Sequence, residues 1–334
     1  MAYEPSVLRA ATARLTERRR RREEEAEQRR RAVYQAIPQV AEIDRQLRRT
    51  MAELFSAALR DGAHPGSAVA RVRERNLALQ AERADLLTAH GHRADALDTL
   101  PLCPHCGDSG WTGGKMCLCL RDLCAQEQIK ELSRLLDLGE QSFDSFNLDF
   151  YSPLPWGSSG ISPRENMEMV YEICGDYARK FGRYYFNNLF LTGAPGLGKT
   201  FLSACIARTV SESGFSVVYD TAVNIFSRFE AQKFARDAED ARDARDETRR
   251  YLSCDLLILD DLGSEMTTPF VQTALYTLVN TRLTAERKTV ISSNLSMDDV
   301  RRRYSPQIAS RLEGEYRALP FFGEDIRLLR KRKL

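Results

Sequence analysis

Gly193-Ala194-Pro195-Gly196-Leu197-Gly198-Lys199-Thr200 spells G-x-x-x-x-G-K-T, followed by Phe201. Residues of these types at this spacing suit a polyphosphate. Glycines let backbone N–H groups close around phosphate oxygens, and a following helix N-terminus adds positive potential. Lys199 would reach the β- and γ-phosphates of a nucleoside triphosphate, and the Thr200 hydroxyl would help to hold Mg²⁺. The apolar run Leu189-Phe190-Leu191 precedes the motif, and a helical pattern from Phe201 to Ser213 follows, closed by Gly214. Strand, glycine-rich turn and helix form the context that a P-loop requires.

Two further strand ends carry chemistry. Asp255-Leu256-Leu257-Ile258-Leu259 runs into Asp260-Asp261-Leu262-Gly263. Beside a P-loop, Asp260 would bind magnesium directly or through water, and Asp261 would orient the attacking water. Lys288–Ser293 is a β-prone run that ends in Asn294. A strand inserted between the P-loop and acid strands would place this amide near the γ-phosphate, on the lytic water or a phosphate oxygen. The same residue could instead cap a helix starting near Ser296. Arg311 follows on the helical stretch Ile308–Leu312. Its spacing fits equally a surface salt bridge or a cation reaching into a neighbour's site.

Eight cysteines are unevenly distributed. Cys103-Pro104-His105-Cys106 and Cys117-Leu118-Cys119 flank a segment that contains Gly107, Gly110, Gly113 and Gly114. Two thiolate pairs on tight turns can close a tetrahedral S₄ zinc site. His105 or Cys124 could replace a ligand, and a redox dithiol is the alternative use of such pairs. Cys174, Cys205 and Cys254 stand alone in apolar surroundings and read as core residues.

These groups must be positioned by a scaffold. Apolar runs at 188–192, 216–219, 255–260, 288–293 and 318–322 alternate with helical patterns, which predicts an α/β domain on a five-stranded parallel sheet. Met167, Val170, Cys174 and Tyr177 keep helical spacing before the first strand. Upstream, residues 5 to about 60 read as helical and highly charged, with Val33, Ile37, Val40, Leu47, Met51 and Leu54 on a seam. Arg18–Arg22 followed by Glu23–Glu25 and Glu27 suits a solvated helix with i,i+4 pairs. Pro38 predicts a kink or restart. A turn is expected at Asp61–Ser67. A second heptad-like helix follows, through Val69, Val72, Asn76, Leu79, Arg83 and Leu86, and ends near Gly91. The two helices predict a coiled-coil-like hairpin, either a partner-docking arm or a spacer. The expected domains are therefore a helical arm over 1–100, a zinc knuckle over 101–125, a linker over 126–165 with a short helix near Ile129–Leu136, and the α/β domain over 166–334.

At 334 residues, 43% of them hydrophobic, the chain has material for two domains. No apolar run approaches the ~20 residues of a membrane span, and Met1–Thr16 lacks an apolar signal core, so a cytoplasmic protein without membrane contact is expected. A net charge of +2 gives no overall electrostatic argument for nucleic acid. Phe226, Arg228, Phe229, Lys233, Phe234 and Arg236 do interleave rings with cations, as single-strand-binding surfaces do. Yet residues 227–250 hold seven basic and seven acidic side chains, which also suits a solvated helix or flexible loop, with Phe226 and Phe229 in the core. The terminal run from Arg327 to Lys333 is a denser basic patch.

Together these residues resemble the AAA+ branch of P-loop ATPases. The match sharpens to bacterial replicative helicase loaders of the DnaC/DnaI type and the related IstB-like ATP-binding proteins. It is carried by Gly193–Thr200, Leu257–Gly263, Ile291–Leu295, Ile308–Leu312 and Gly323-Glu324-Asp325-Ile326-Arg327, and more loosely by Cys103–Cys119, Phe143–Tyr151 and the helical arm. The resemblance implies an AAA+ core without a full lid and ATP and Mg²⁺ as cofactors. It makes Asn294 the sensor 1 residue, Arg311 an arginine finger and Arg327 a sensor 2 arginine. It also implies ATP hydrolysis, self-assembly through the AAA+ domain, and a hexameric replicative helicase and single-stranded DNA as partners. The alternatives are an IstB-like transposition helper and an ATP-gated scaffold with little hydrolysis.

Overall fold

The computed structural model describes residues 3–60, 66–136, 141–157, 160–235 and 238–333. The chain divides into two compact units, one of residues 13–117 and one of residues 1–12 with 118–334. Among the described residues no helix is long and apolar enough to cross a membrane.

The first unit is built mostly from helices. α1 (Pro5–Ala36) begins in the other unit and continues into this one, α2 covers Pro38–Arg60 and α3 covers Gly66–Ala89. Pro38 restarts the helix as expected, because a proline N–H is dispensable at the first helical position. The charged middle of α1 forms i,i+4 pairs Arg19–Glu23 and Arg21–Glu25 on its exposed face. Val33, Ile37 and Val40 pack with Leu87 and Leu97. Asn76 donates to Thr50 (3.0 Å) and Arg83 to Asp44 (3.4 Å), so α2 and α3 run antiparallel. Polar pairs at such seam positions fix register. The expected turn at Asp61–Ser67 lies largely outside the described residues, as do the side chains of Met51, Leu54 and Val69. A two-stranded hairpin, β1 (Trp111–Thr112) and β2 (Lys115–Met116), completes the unit.

α4 (Leu118–Leu136) opens the second unit. It starts about ten residues earlier than the periodicity suggested and carries Leu120, Leu123 and Cys124 as buried residues. Two short 3-10 turns at Phe143–Ser145 and Leu148–Phe150 follow, then α5 (Pro163–Arg179). α5 is started by Pro163 and a capping box of Ser162 with Glu165. Met167, Val170, Cys174 and Tyr177 form its buried face. Thereafter come β3 (Leu189–Gly193), α6 (Lys199–Glu212), β4 (Val217–Thr221), α7 (Ala222–Lys233), α8 (Ala238–Ser253), β5 (Leu256–Leu262), α9 (Pro269–Thr284), β6 (Lys288–Ser293), α10 (Met297–Arg303), α11 (Pro306–Glu315), β7 (Arg317–Phe321) and α12 (Ile326–Lys333).

The sheet has strand order β4-β5-β6-β3-β7, and every pairing is parallel. Central strands of such sheets are covered on both faces and read as continuous apolar runs. Leu256, Leu257, Ile258 and Leu259 accordingly alternate between two core layers, one under α4, α5 and α6 and one under α7, α8, α9 and α11. Cys174, Cys205 and Cys254 are buried free thiols, as expected, with Cys174 and Cys254 in those layers.

Candidate functional site

The C-terminal ends of β3, β5 and β6 converge on one cleft of about 650 Å³. Parallel α/β sheets place ligand sites at this end because loops and helix N-termini gather there. The P-loop bends between β3 and α6. Gly198 takes a left-handed conformation (φ 93°) at the N-cap of α6, and a Cβ there would lie 2.8 Å from the Tyr151 hydroxyl. Only glycine combines that φ with that approach. Gly196 is similarly constrained, since a Cβ there would lie 2.1 Å from the Asp325 carboxylate.

Lys199 is 8% exposed. Its ammonium donates to Gly193 O (2.5 Å), Ala194 O (2.8 Å) and Asn294 Oδ1 (2.8 Å). Burial pulls the ammonium pKa down to about 8, against the opposing pull of Asp261 and Asp260. Asn294 also donates through Nδ2 to Asp261 Oδ1 (2.9 Å). One amide therefore bridges the lysine and the second acid. The alternative of Asn294 as a helix cap is not taken up, because Ser296 caps α10.

Asp260 is buried and accepts from three hydroxyls: Thr200 (3.2 Å) and Tyr219 (2.6 Å) on Oδ2, and Ser292 on Oδ1. The pairing of β5 with β6 shifts register between Leu259 and Leu262, and Asp261 has φ 56°. Consecutive strand residues point to opposite faces. The irregularity re-aims Asp261, so both acids reach the same cleft. This fits hard oxygen ligation: the Thr200 hydroxyl and the Asp260 carboxylate, already adjacent, could hold Mg²⁺ beside bound phosphates.

Residues 126–165, expected as a linker, contribute to the site. Phe146, Asn147, Phe150 and Tyr151 in fact line the cleft, together with Gln141. Phe146 stacks on Tyr151 (5.9 Å) and lies against Phe201 (5.5 Å). Tyr151 donates its buried hydroxyl to Leu197 O (2.9 Å), tying this segment to the P-loop. The aromatic spacing Phe143, Phe146, Phe150, Tyr151 was the available signal. From the other end of the chain, Ile326 N donates to Gly196 O (3.0 Å), and Arg327 lines the cleft. Arg311 is exposed on α11, is not among the cleft residues, and has no described hydrogen bond or ion pair.

The mixed ring and cation stretch is divided by the fold. Phe226 is buried, Phe229 stacks on Tyr251 (6.4 Å), and Arg228 pairs with Glu247. Phe226 is therefore a core residue, and the half-buried Phe229 ring is engaged with Tyr251. Phe234 remains 62% exposed, with Lys233 placed over its ring (5.5 Å). The side chain of Arg236 lies outside the described residues.

At the cysteine cluster, the sulfurs of Cys103, Cys106, Cys117 and Cys119 all lie within 4.8 Å of one another. The Cys103 and Cys117 sulfurs are 3.7 Å apart, close to the edge of about 3.8 Å that follows from Zn–S bonds of about 2.3 Å in a tetrahedron. Gly110 N–H points at Cys106 Sγ (3.3 Å), a contact that favours a thiolate. Asp108 clamps the turn, accepting from Leu102 N (3.0 Å), Cys103 N (2.8 Å) and Arg22 (2.8 Å). The donor set fits zinc. Neither His105 nor Cys124 joins the group, and burial pushes the Cys124 thiol up to about 11.

Residues 184–310 match the family model described as IstB-like ATP binding protein. This segment is similar to IstB-like ATP-binding proteins. The chain is 26% identical over 125 residues to the uncharacterized protein YdaV of Escherichia coli, covering 37% of this chain and 48% of that one. It is 28% identical over 197 residues to the chromosomal replication initiator protein DnaA of Aquifex aeolicus, covering 57% of this chain and 45% of that one. The chain thus spans about half the length of the curated relatives it matches. Among solved structures, the DnaC helicase loader superposes with a TM-score of 0.44 at 16% identity, over 56% of this chain and 99% of that one.

Proposed function

We propose that the chain is an ATP-hydrolysing AAA+ protein of DNA replication that loads a replicative helicase onto single-stranded DNA. The observation that carries the motor half of this reading is the continuous polar chain Asp261–Asn294–Lys199 beside Asp260–Thr200. Lys199 would turn from its carbonyl partners to the β- and γ-phosphates. Thr200 and Asp260 would hold Mg²⁺, which neutralises phosphate charge when bound. Asp261 would orient the attacking water, and Asn294 would report the γ-phosphate by exchanging its hold on Lys199. Arg327 at the start of α12 would face the phosphates from the C-terminal side. Arg311, exposed and without a described partner, would act on the site of a neighbouring copy.

The replication half is supported by the similarity to a protein named as a chromosomal replication initiator. The α2–α3 hairpin would dock the helicase, and the four cysteines would hold one structural zinc. Single-stranded DNA would meet the exposed Phe234 and Lys233 and the basic α12, with Phe226 and Phe229 excluded. The second reading, a transposition helper, keeps the same motor and changes the partner. The full-length chain immobilised with ATP and Mg²⁺ distinguishes them. Retention of a hexameric helicase supports loading; retention of a transposase in its place overturns it.

A further inference from the structure

One side chain touches both the candidate magnesium carboxylate and the seat of the chain's N-terminal segment. Tyr219 lies on β4, one of the two edge strands of the sheet. Its hydroxyl donates to Asp260 Oδ2 (2.6 Å). Tyr219 also lines a second, smaller cavity of about 210 Å³, with Glu4, Val7, Gln128, Leu132 and Arg250 among the other lining residues. That cavity lies under the first turn of α1. There Tyr3 donates to Gly214 O (2.6 Å), Ser6 donates to Glu131 (3.1 Å), Glu4 pairs with Arg250 (2.9 Å), and Val7 is 2% exposed. Residues 3–12 are therefore a seated strap on the ATP-binding unit, and Tyr219 belongs both to the cavity beside the strap and to the hydrogen bonds of Asp260.

The hydrogen-bond inventory of Asp260 says what that ring does. A carboxylate has about four acceptor positions. Ser292 takes one on Oδ1, while Tyr219 and Thr200 take two on Oδ2. Tyr219 and Ser292 come from the two strands that flank β5, and they fix the plane of the carboxylate from both sides. Thr200 is the member that can turn away to a metal ion. Losing Tyr219 leaves the carboxylate held from one strand only.

We propose that Tyr219 is a positioning residue that couples seating of residues 3–12 to the Asp260 carboxylate. This rests on the reading of Asp260 as the magnesium-side acid of an ATPase. With the strap seated, Tyr219 is pinned and Asp260 is oriented for Mg²⁺-bound phosphates. Lifting the strap opens the small cavity, frees the ring and disorders the carboxylate. A partner that captures the N-terminal region would slow hydrolysis without displacing nucleotide.

The test uses the full chain with Tyr219→Phe, which removes only the hydroxyl, and with Val7→Asp and Glu4→Gln, which unseat the strap by different means. The Mg²⁺ concentration for half-maximal ATP hydrolysis should rise about tenfold in Tyr219→Phe and Val7→Asp, the scale of one hydrogen bond to a charged group. Glu4→Gln should shift it in the same direction. The Val7→Asp/Tyr219→Phe double variant should be no worse than either single one. ATP affinity measured without Mg²⁺ should be unchanged throughout. Independently of turnover, hydrogen exchange at residues 5–12 in metal-free protein should speed up in Tyr219→Phe, because coupling is reciprocal. Unchanged exchange overturns the coupling. So do strap variants with wild-type Mg²⁺ dependence, or effects that simply multiply. A wild type that exchanges as expected but does not hydrolyse ATP would refute the ATPase reading instead.

Discussion

Raising the pH should weaken nucleotide binding through Lys199 alone. The ammonium sits among three oxygen acceptors in a buried position, and burial brings its pKa from 10.5 to about 8. A site with that value is about nine-tenths protonated at pH 7 and about one-tenth at pH 9. A polyphosphate in the cleft restores the charge, so above pH 8 binding must draw a proton from solution. Linkage then lowers affinity by about tenfold between pH 7 and pH 9. The same shift acts on stability with the opposite sense. Between about 8 and 10.5 the unfolded chain holds the proton more tightly than the folded one. The lysine's contribution to stability therefore rises with pH in that window, and unfolding does not account for the lost affinity. The assay is equilibrium titration with a fluorescent ATP analogue from pH 7 to pH 9 at constant ionic strength, with Lys199→Arg alongside. A guanidinium stays charged throughout, so the variant should lack the pH step whatever its absolute affinity. Wild-type affinity that is flat with pH, or an equal slope in Lys199→Arg, refutes the reasoning.

Further expectations concern other parts of the chain. Elemental analysis should find one zinc per chain, lost when Cys103 and Cys117 are both replaced by Ser; absence of zinc from the wild type removes the metal assignment. Tyr151→Phe leaves the Leu197 carbonyl without its buried donor and should cost about 1–3 kcal/mol of stability, read from denaturant unfolding. Arg311→Ala should leave ATP affinity intact while reducing turnover at protein concentrations that favour assembly, and undiminished turnover removes the finger assignment. Asp260→Asn should bind ATP but lose Mg²⁺-dependent hydrolysis, seen as absent phosphate formation in single-turnover mixing.

The sheet was legible because its buried strands are uninterrupted apolar runs bounded by turn residues. All five expected strands form within a few residues of their predicted limits. Lys199, Thr200, Asp260, Asp261 and Asn294 meet in one cleft because each closes a strand or opens the helix after one. Three features were hidden for physical reasons. The bulge at Asp260–Asp261 depends on pairing with β6, so an alternating pattern could not show that both acids face one way. The aromatic wall from Phe146 to Tyr151 follows two short 3-10 turns, so its spaced rings give no sustained helix or strand period that would aim them at the cleft. Tyr219 reads as one more buried strand residue, and its role follows only from a hydroxyl reaching the adjacent strand. At Phe226 and Phe229 the sequence leaves two readings open: rings interleaved with cations look alike whether they face bases or a core, and packing under α8 and α9 selects the core.

The central claim is that this cleft binds ATP through Lys199, and equilibrium binding to the full chain tests it directly. Wild-type protein should take up ATP saturably, one per chain, and Lys199→Ala should abolish that binding while keeping the wild-type circular dichroism spectrum. A wild type that does not bind ATP, or a folded Lys199→Ala protein that binds it equally well, would contradict the account.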